Sequence, residues 1–300
     1  MKMKKSLQSS FLLLLATIIW GCAFVAQSVG MDHIGPFTFQ AVRCFLAVIA
    51  LFPVILLFDG KEKKQFFKKW CDPVLWKAGI PCGLSLFVAV GLQQVALMYT
   101  TAGKAGFITA MYIVIVPIIG LLLGRKTPIT ALLSVLLAVA GLYLLSYMGV
   151  AQINIGDVML LGCAIAFAVQ ITFVDKYATQ VDGLRLNCVQ SLICAVLSAV
   201  FMFALEAPKI APILQCWLPL CYAGVLSMGV AYSLQIISQK NLEPTTASLL
   251  MSLESVFAAL AGWLILKETM TFTELAGCAL VFAAVILSQI PIKTKEKSPN

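Results

Sequence analysis

Apolar residues follow one another along the chain in runs of about 18 to 24, and polar residues collect in the short gaps between those runs. Such a run is what a helix rising about 1.5 Å per residue needs to cross a hydrocarbon core. The pattern predicts spans at 11–29, 36–57, 75–98, 104–123, 129–147, 156–174, 184–205, 214–237, 246–266 and 271–290. Helix breakers stand in the gaps: Gly35-Pro36, Asp72-Pro73, Thr127-Pro128, Ala207-Pro208 and Glu243-Pro244, with Gly103 in the short third gap. No gap is long enough for a soluble domain. The expected fold is an all-α polytopic membrane protein of ten transmembrane helices, with Leu13 and Leu280 facing lipid.

Composition sharpens the picture. Hydrophobic residues make up 61% of the chain and charged residues 11%, less than half the roughly one quarter of soluble globular chains, so a soluble fold is excluded. A net charge of +8 raises the question of nucleic acid, but the basic residues lie between spans, where the positive-inside rule accounts for them; no nucleic-acid partner is expected. With the N-terminus inside, seventeen Lys and Arg fall on the cytoplasmic side, and only Lys104, Lys209 and Lys267 outside. That bias predicts a cell-membrane protein with both termini cytoplasmic, His33 external and a cytoplasmic tail at 291–300. The cluster from Lys61 to Lys69 sets topology and is also suited to anionic lipid. The ten cysteines form no CxxC pair or metal spacing and read as small hydrophobes. Ile19-Trp20-Gly21-Cys22 faintly resembles a lipoprotein box, but the bulky Trp20 and the later spans favour an uncleaved first helix.

The chain also repeats itself. An offset of 147 lays Val42-Arg43 on Val189-Gln190 and Trp20 on Phe167; an offset of 142 lays Leu92-Gln93 on Leu234-Gln235, Ala105 on Ala247 and Leu133 on Leu275. Span order and loop lengths agree with the same duplication, giving units at 11–147 and 156–290. Five helices per unit is an odd number, so the second copy is expected upside down relative to the first, the inverted-repeat plan of secondary transporters.

The residues that carry this pattern resemble the ten-helix drug/metabolite transporter superfamily, with two EamA-type repeats. The likeness lies in Trp20-Gly21-Cys22-Ala23-Phe24, in Thr38-Phe39-Gln40-Ala41-Val42-Arg43, and in Ala105-Gly106-Phe107-Ile108-Thr109 with Tyr112 and Pro117. It continues in Gly141-Leu142-Tyr143-Leu144-Leu145 and in Leu253-Glu254 followed by Lys267-Glu268. Two positions depart from it: Ser255 stands where the family often has Pro, and Arg125-Lys126 where it often has Glu. The resemblance implies carrier-mediated movement of small organic solutes, frequently export.

Candidate chemistry comes from polar groups inside spans, since each is costly in lipid and therefore turns toward a cavity or another helix. Two ionisable side chains lie deep in the predicted spans, Arg43 and Glu254. They are either coupling groups or a structural pair. Gln93 and Gln235, equivalent under the repeat, are expected to face a shared pathway, joined by Gln170, Thr109, Tyr112, Trp20, Ser248 and Ser252; the last two share a helix face with Met251. Phe24, Phe167 and Phe173 extend an aromatic lining. Each of these also has a plainer role as interhelical glue. Gly79-x3-Gly83 and Gly120-x3-Gly124 suit close helix contact, and Pro81, Pro117 and Pro219 suit kinks.

No HExxH, GxSxG or phosphate loop occurs and the one histidine sits in a loop, so an enzyme is not expected and no cofactor or metal is implied. No ATPase motif is present, so active transport would draw on a gradient. The expected function is a secondary transporter of a small organic metabolite, an exporter or exchanger working by alternating access, monomeric or homodimeric, with proton coupling open. The alternative is a lipid flippase or a non-transporting membrane scaffold.

Overall fold

The computed structural model describes residues 2–59, 63–125, 127–145, 154–265, 267 and 270–288. The expected tail at 291–300, Lys61, Lys126 and Glu268 lie outside the described residues. Helices α1 (Lys2–Met31), α2 (Pro36–Asp59), the short α3 (Lys63–Trp70) and α4 (Pro73–Ala96) come first. They are followed by α5 (Ala102–Thr109), α6 (Tyr112–Leu122), α7 (Ile129–Leu145), α8 (Ile155–Tyr177) and α9 (Gly183–Leu205). After α10 (Ile210–Gln215) and α11 (Trp217–Cys221) a π-helix spans Tyr222–Ala231 and leads into α12 (Tyr232–Gln239). The chain closes with α13 (Pro244–Met251), α14 (Leu253–Ile265) and α15 (Phe272–Ser288).

Eight helical stretches are long and apolar enough to cross a membrane, and two shorter apolar helices, Ile129–Leu144 and Phe272–Ser288, occupy the fifth and tenth predicted positions. The predicted ends of those two, up to 147 and 290, fall outside the described residues. The protein is therefore an all-helical, multi-pass membrane protein.

The punctuation read from the sequence becomes cap chemistry. Asp72 accepts from the Val74 N–H at 2.9 Å ahead of Pro73, and Asp182 accepts from the Arg185 N–H at 3.0 Å. Asn154 and Asp157 form a reciprocal capping box. Each supplies an acceptor for amides that a helix start leaves unpaired.

Packing is reciprocal between the two halves of the chain. Helix α2 lies along α9 and α7 along α15; α4 packs on α8, while α1 packs on the π-helix, α12 and α14. Glycines set the closest approaches. A Cβ on Gly79 would meet Val189 at 2.3 Å, one on Gly21 would meet Phe257 at 2.4 Å, and one on Gly141 would meet the Gly277 carbonyl at 2.8 Å. Gly83 similarly abuts Ile193, so the Gly79-x3-Gly83 stripe is a contact surface. The second stripe is not: nothing lies within 4 Å of a Cβ at Gly120, and Gly124 turns the chain at φ +75°. Leu57, Phe58 and Leu122 are at least four-fifths exposed and present the apolar surface a bilayer requires. Leu13, expected toward lipid, is fully buried, because α1 is packed on several sides.

Three spans are irregular. A tightened turn at Ala110-Met111 separates α5 from α6, and one at Ser252 separates α13 from α14. The π-helix of the eighth span leaves the carbonyls of Met228 and Gly229 to accept from the Asn187 amide of α9, both at 2.9 Å. These carbonyls are thus satisfied inside the bundle, as a membrane demands. The end of the bundle carrying residues 32–35 is termed the upper end, and that carrying α3 the lower end.

Candidate functional site

The interruptions surround a buried cavity of about 40 Å³. Its wall is built from α1 (Trp20, Phe24, Gln27), α2 (Arg43), α4 (Gln93), α6 (Tyr112), α8 (Phe167, Gln170), the π-helix (Ser227), α12 (Tyr232, Gln235), Met251 and α14 (Glu254). Both halves contribute.

Arg43 is 1% exposed. Its Nε donates to Gln40 Oε1 at 2.9 Å, its Nη2 donates to the same oxygen, and its Nη1 donates to Gln27 Oε1 at 2.7 Å. The guanidinium also lies 5.5 Å from the Phe39 ring centre. Glu254 accepts from the Tyr112 hydroxyl at 2.9 Å and is likewise buried. The two ionisable groups form no ion pair with each other among the described residues. Among the described residues, the side chains bonded to the Arg43 guanidinium and the Glu254 carboxyl are the neutral Gln27, Gln40 and Tyr112.

Between these poles the wall is aromatic and amide. The Trp20 ring meets Tyr232 edge-on at 5.0 Å and Tyr112 meets Phe167 at 6.3 Å. Gln170 donates to Gln190 at 3.3 Å, and Gln235 donates to Gln170 at 3.2 Å and to Gln239 at 3.1 Å. Gln93 donates to Thr109 at 3.3 Å. Trp20 Nε1 and Gln235 Oε1 are buried without a hydrogen-bond partner among the described residues.

Of the residues singled out from sequence, Gln93, Gln235, Gln170, Tyr112, Trp20, Arg43 and Glu254 converge on this cavity, with Phe24, Phe167 and Met251. Thr109 sits behind Gln93. Ser248 and Ser252 share a face but turn their hydroxyls onto their own helix, to the carbonyls of Thr245 and Leu249 at 2.9 and 2.7 Å, the local bond that serine makes readily. Phe173 packs near Tyr177, away from the cavity. Sequence reasoning passed over Gln239 and Asn187, although an amide inside an apolar run is a readable signal.

Comparison with known proteins fits this architecture. The model of the EamA-like transporter family matches twice, at residues 7–147 and 154–289. The chain belongs to that family. A relative described as an uncharacterized transporter of Archaeoglobus fulgidus is 32% identical over 96% of this chain and 88% of its own length. The threonine/homoserine exporter RhtA of Escherichia coli is 25% identical over 99% of this chain and 96% of its own. A crystal structure superposes with a TM-score of 0.78 at 18% identity, covering 94% of this chain and 96% of the other, and so shares the fold. In this EamA-like transporter the two matched regions lie on either side of residues 148–153.

The site yields a direct prediction. In a variant whose native cysteines are replaced, cysteine at Gln93 or Gln235 should react with a small polar thiol reagent faster than cysteine at Ile165, which is 54% exposed at the middle of the apolar span α8, because a thiol in hydrocarbon rarely ionises. Equal rates would return both glutamines to the role of helix glue.

Proposed function

We propose that this EamA-like transporter is a secondary transporter that moves a small zwitterionic organic metabolite across the cytoplasmic membrane by alternating access, as an exporter or exchanger, with Glu254 as the proton-coupling group. One observation carries the reading: a guanidinium and a carboxyl, both buried and not paired with each other, line one aromatic-walled cavity. Uncompensated charge in a low-dielectric site is costly. A zwitterion supplies a carboxylate for Arg43 and an ammonium for Glu254, and the open Trp20 Nε1 and Gln235 Oε1 offer one further donor and acceptor. Threonine and homoserine, named for RhtA, have this chemistry.

The reading includes ten crossings in two inverted five-helix units, 11–147 and 156–290. Support comes from the positions of the irregular turns, since Ala110 and Ser252 lie 142 residues apart, as do Tyr112 and Glu254, which bond to each other. The reciprocal packing of α2 with α9 and of α7 with α15 is what a twofold exchange of the units requires. A cavity of about 40 Å³ holds only a few waters, so loading a solute demands opening. The turns at Ala110 and Ser252 are places where the wall gives.

Two measurements test this. Vesicles reconstituted with the protein and loaded with a mixture of amino acids should release a subset faster than empty-protein controls, read by mass spectrometry; no solute released above control ends the transport reading. Reporter fusions at Asp32 and Pro208, and at Ile153 outside the described residues, should report the exterior. Two cytoplasmic signals among the three would sink the inverted topology.

A further inference from the structure

The α2–α9 pair carries an acidic contact at each of its two ends. At the upper end α9 stops at Glu206, whose carboxylate enters the first turn of α2. It accepts from the Phe37 and Thr38 amides, each at 2.8 Å, and from the Thr38 hydroxyl at 2.6 Å. Unpaired amides and the helix dipole make such a terminus a good seat for an anion. The seat depends on Gly35, where a Cβ would lie 2.4 Å from the carboxylate. Phe37 stacks on Phe201 of α9 at 5.2 Å beside it.

At the lower end the roles are exchanged. Helix α2 stops at Asp59, whose carboxylate takes the Arg185 guanidinium of α9 and the Lys69 ammonium, the latter at 2.9 Å. Arg185 is 3% exposed and lies against the adjoining Phe66 and Trp70 rings at 5.9 and 5.7 Å. The offset of 147 that the sequence carries lays Asp59 on Glu206 and Thr38 on Arg185. Each helix therefore ends in an acid that grips the start of its partner, at equivalent positions.

Elsewhere the two ends differ. At the upper end α8 is tied to the first turn of α5 by the Lys104–Asp157 ion pair at 2.8 Å, and its cap residue Asn154 donates to the Tyr99 carbonyl of the α4–α5 connection at 3.1 Å. The corresponding lower seam, between α1 and the α12–α13 connection, is bridged by Asn241 donating to Ser9 at 3.1 Å. Beside it opens a polar groove of about 1100 Å³, lined by Lys5, Asp175, Lys240 and Glu243. On the far side of that groove Arg125 and Asp175 form an ion pair between the α6–α7 connection and α8, so the lower end differs from the upper in having an open groove between its ties, while α2 and α9 are gripped at both ends.

We propose that Glu206 and Asp59 are positioning residues that clamp α2 and α9 into one body, keeping Arg43 registered at the cavity while the surrounding seams open in turn. The proposal rests on the transport reading above. It is tested in vesicles with L-threonine efflux as the probe, in a transport-competent variant lacking native cysteines and carrying Thr38→Cys and Glu206→Cys. A short bis-methanethiosulfonate linker then replaces the lost clamp covalently. Efflux should fall by about tenfold to a hundredfold before linking, since a misplacement of about 1 Å at a binding group can cost about a hundredfold, and recover on linking.

Loss of the residual efflux on linking, reversed by reduction, would show that the upper ends separate during the cycle and overturn the clamp. Unchanged efflux before linking would overturn it too. Where the double variant fails to fold, or where the wild-type protein moves no threonine, Glu206→Gln decides without a solute: the Phe37 and Thr38 amides should exchange hydrogen about tenfold faster than in wild type. Equal exchange would remove the clamp, and an inert wild type with faster exchange in the variant would count against the transport reading alone.

Discussion

Glu254→Gln, purified and reconstituted, is expected to fold, to lose pH-dependent net transport and to keep solute exchange. The carboxyl's bonded partner is the Tyr112 hydroxyl at 2.9 Å, and the glutamine carbonyl accepts that bond in the same place, so stability should change by no more than about 1 kcal/mol. An amide cannot bind and release a proton, which removes the coupling step and leaves the binding surface. Had Glu254 been the counter-ion of Arg43, the same change would strand a buried guanidinium and cost about 3–5 kcal/mol. The guanidinium is instead held by Gln27 and Gln40, which separates the two outcomes in advance. Net flux with unaltered pH dependence in the variant would rule out Glu254 as the coupling group.

The apolar periodicity made the spans legible because in a bilayer length and hydropathy are the physical constraint themselves. Helix α2 starts at Pro36 as expected, whereas α4 and α13 start at Pro73 and Pro244, two residues before the expected 75 and 246, because Pro is well suited to the first helical turn, where its missing N–H costs no bond. Less legible was everything that depends on a partner far along the chain. Glu206 and Asp59 read as loop acids until α2 and α9 lie side by side, and Leu13 reads as lipid-facing until α1 is seen packed on several sides. The π-helix at Tyr222–Ala231 has no marker in its residues alone.

The site was legible where one helix face sufficed and obscure where orientation decided. Gln40 and Arg43 are three residues apart, the spacing of neighbours on a helix, so the partner of the buried cation stood in the sequence close by. Ser248 and Ser252 obey the same spacing and yet leave the cavity, because a short hydroxyl side chain reaches its own backbone before it reaches across a pathway. Burial alone therefore does not assign a polar residue to a site; the atom it bonds does.

Arg43→Lys is expected to reduce efflux of L-threonine by about a hundredfold while leaving the bundle folded, since a point ammonium cannot reproduce the planar fork that holds a carboxylate on two parallel bonds. In the wild type three donors of that fork are engaged by Gln27 and Gln40, which orient the plane, and the lysine retains a charge for those acceptors without fixing a direction. Carboxylate recognition then gives a control that a structural role cannot imitate. An amino alcohol of the same size without the carboxylate should be carried poorly by both proteins, with a ratio between wild type and variant near one. An equal hundredfold loss for the amino alcohol would mean that Arg43 holds α2 to its neighbours and does not meet the solute, and the zwitterion reading would pass to Trp20, Gln235 and Glu254 without it.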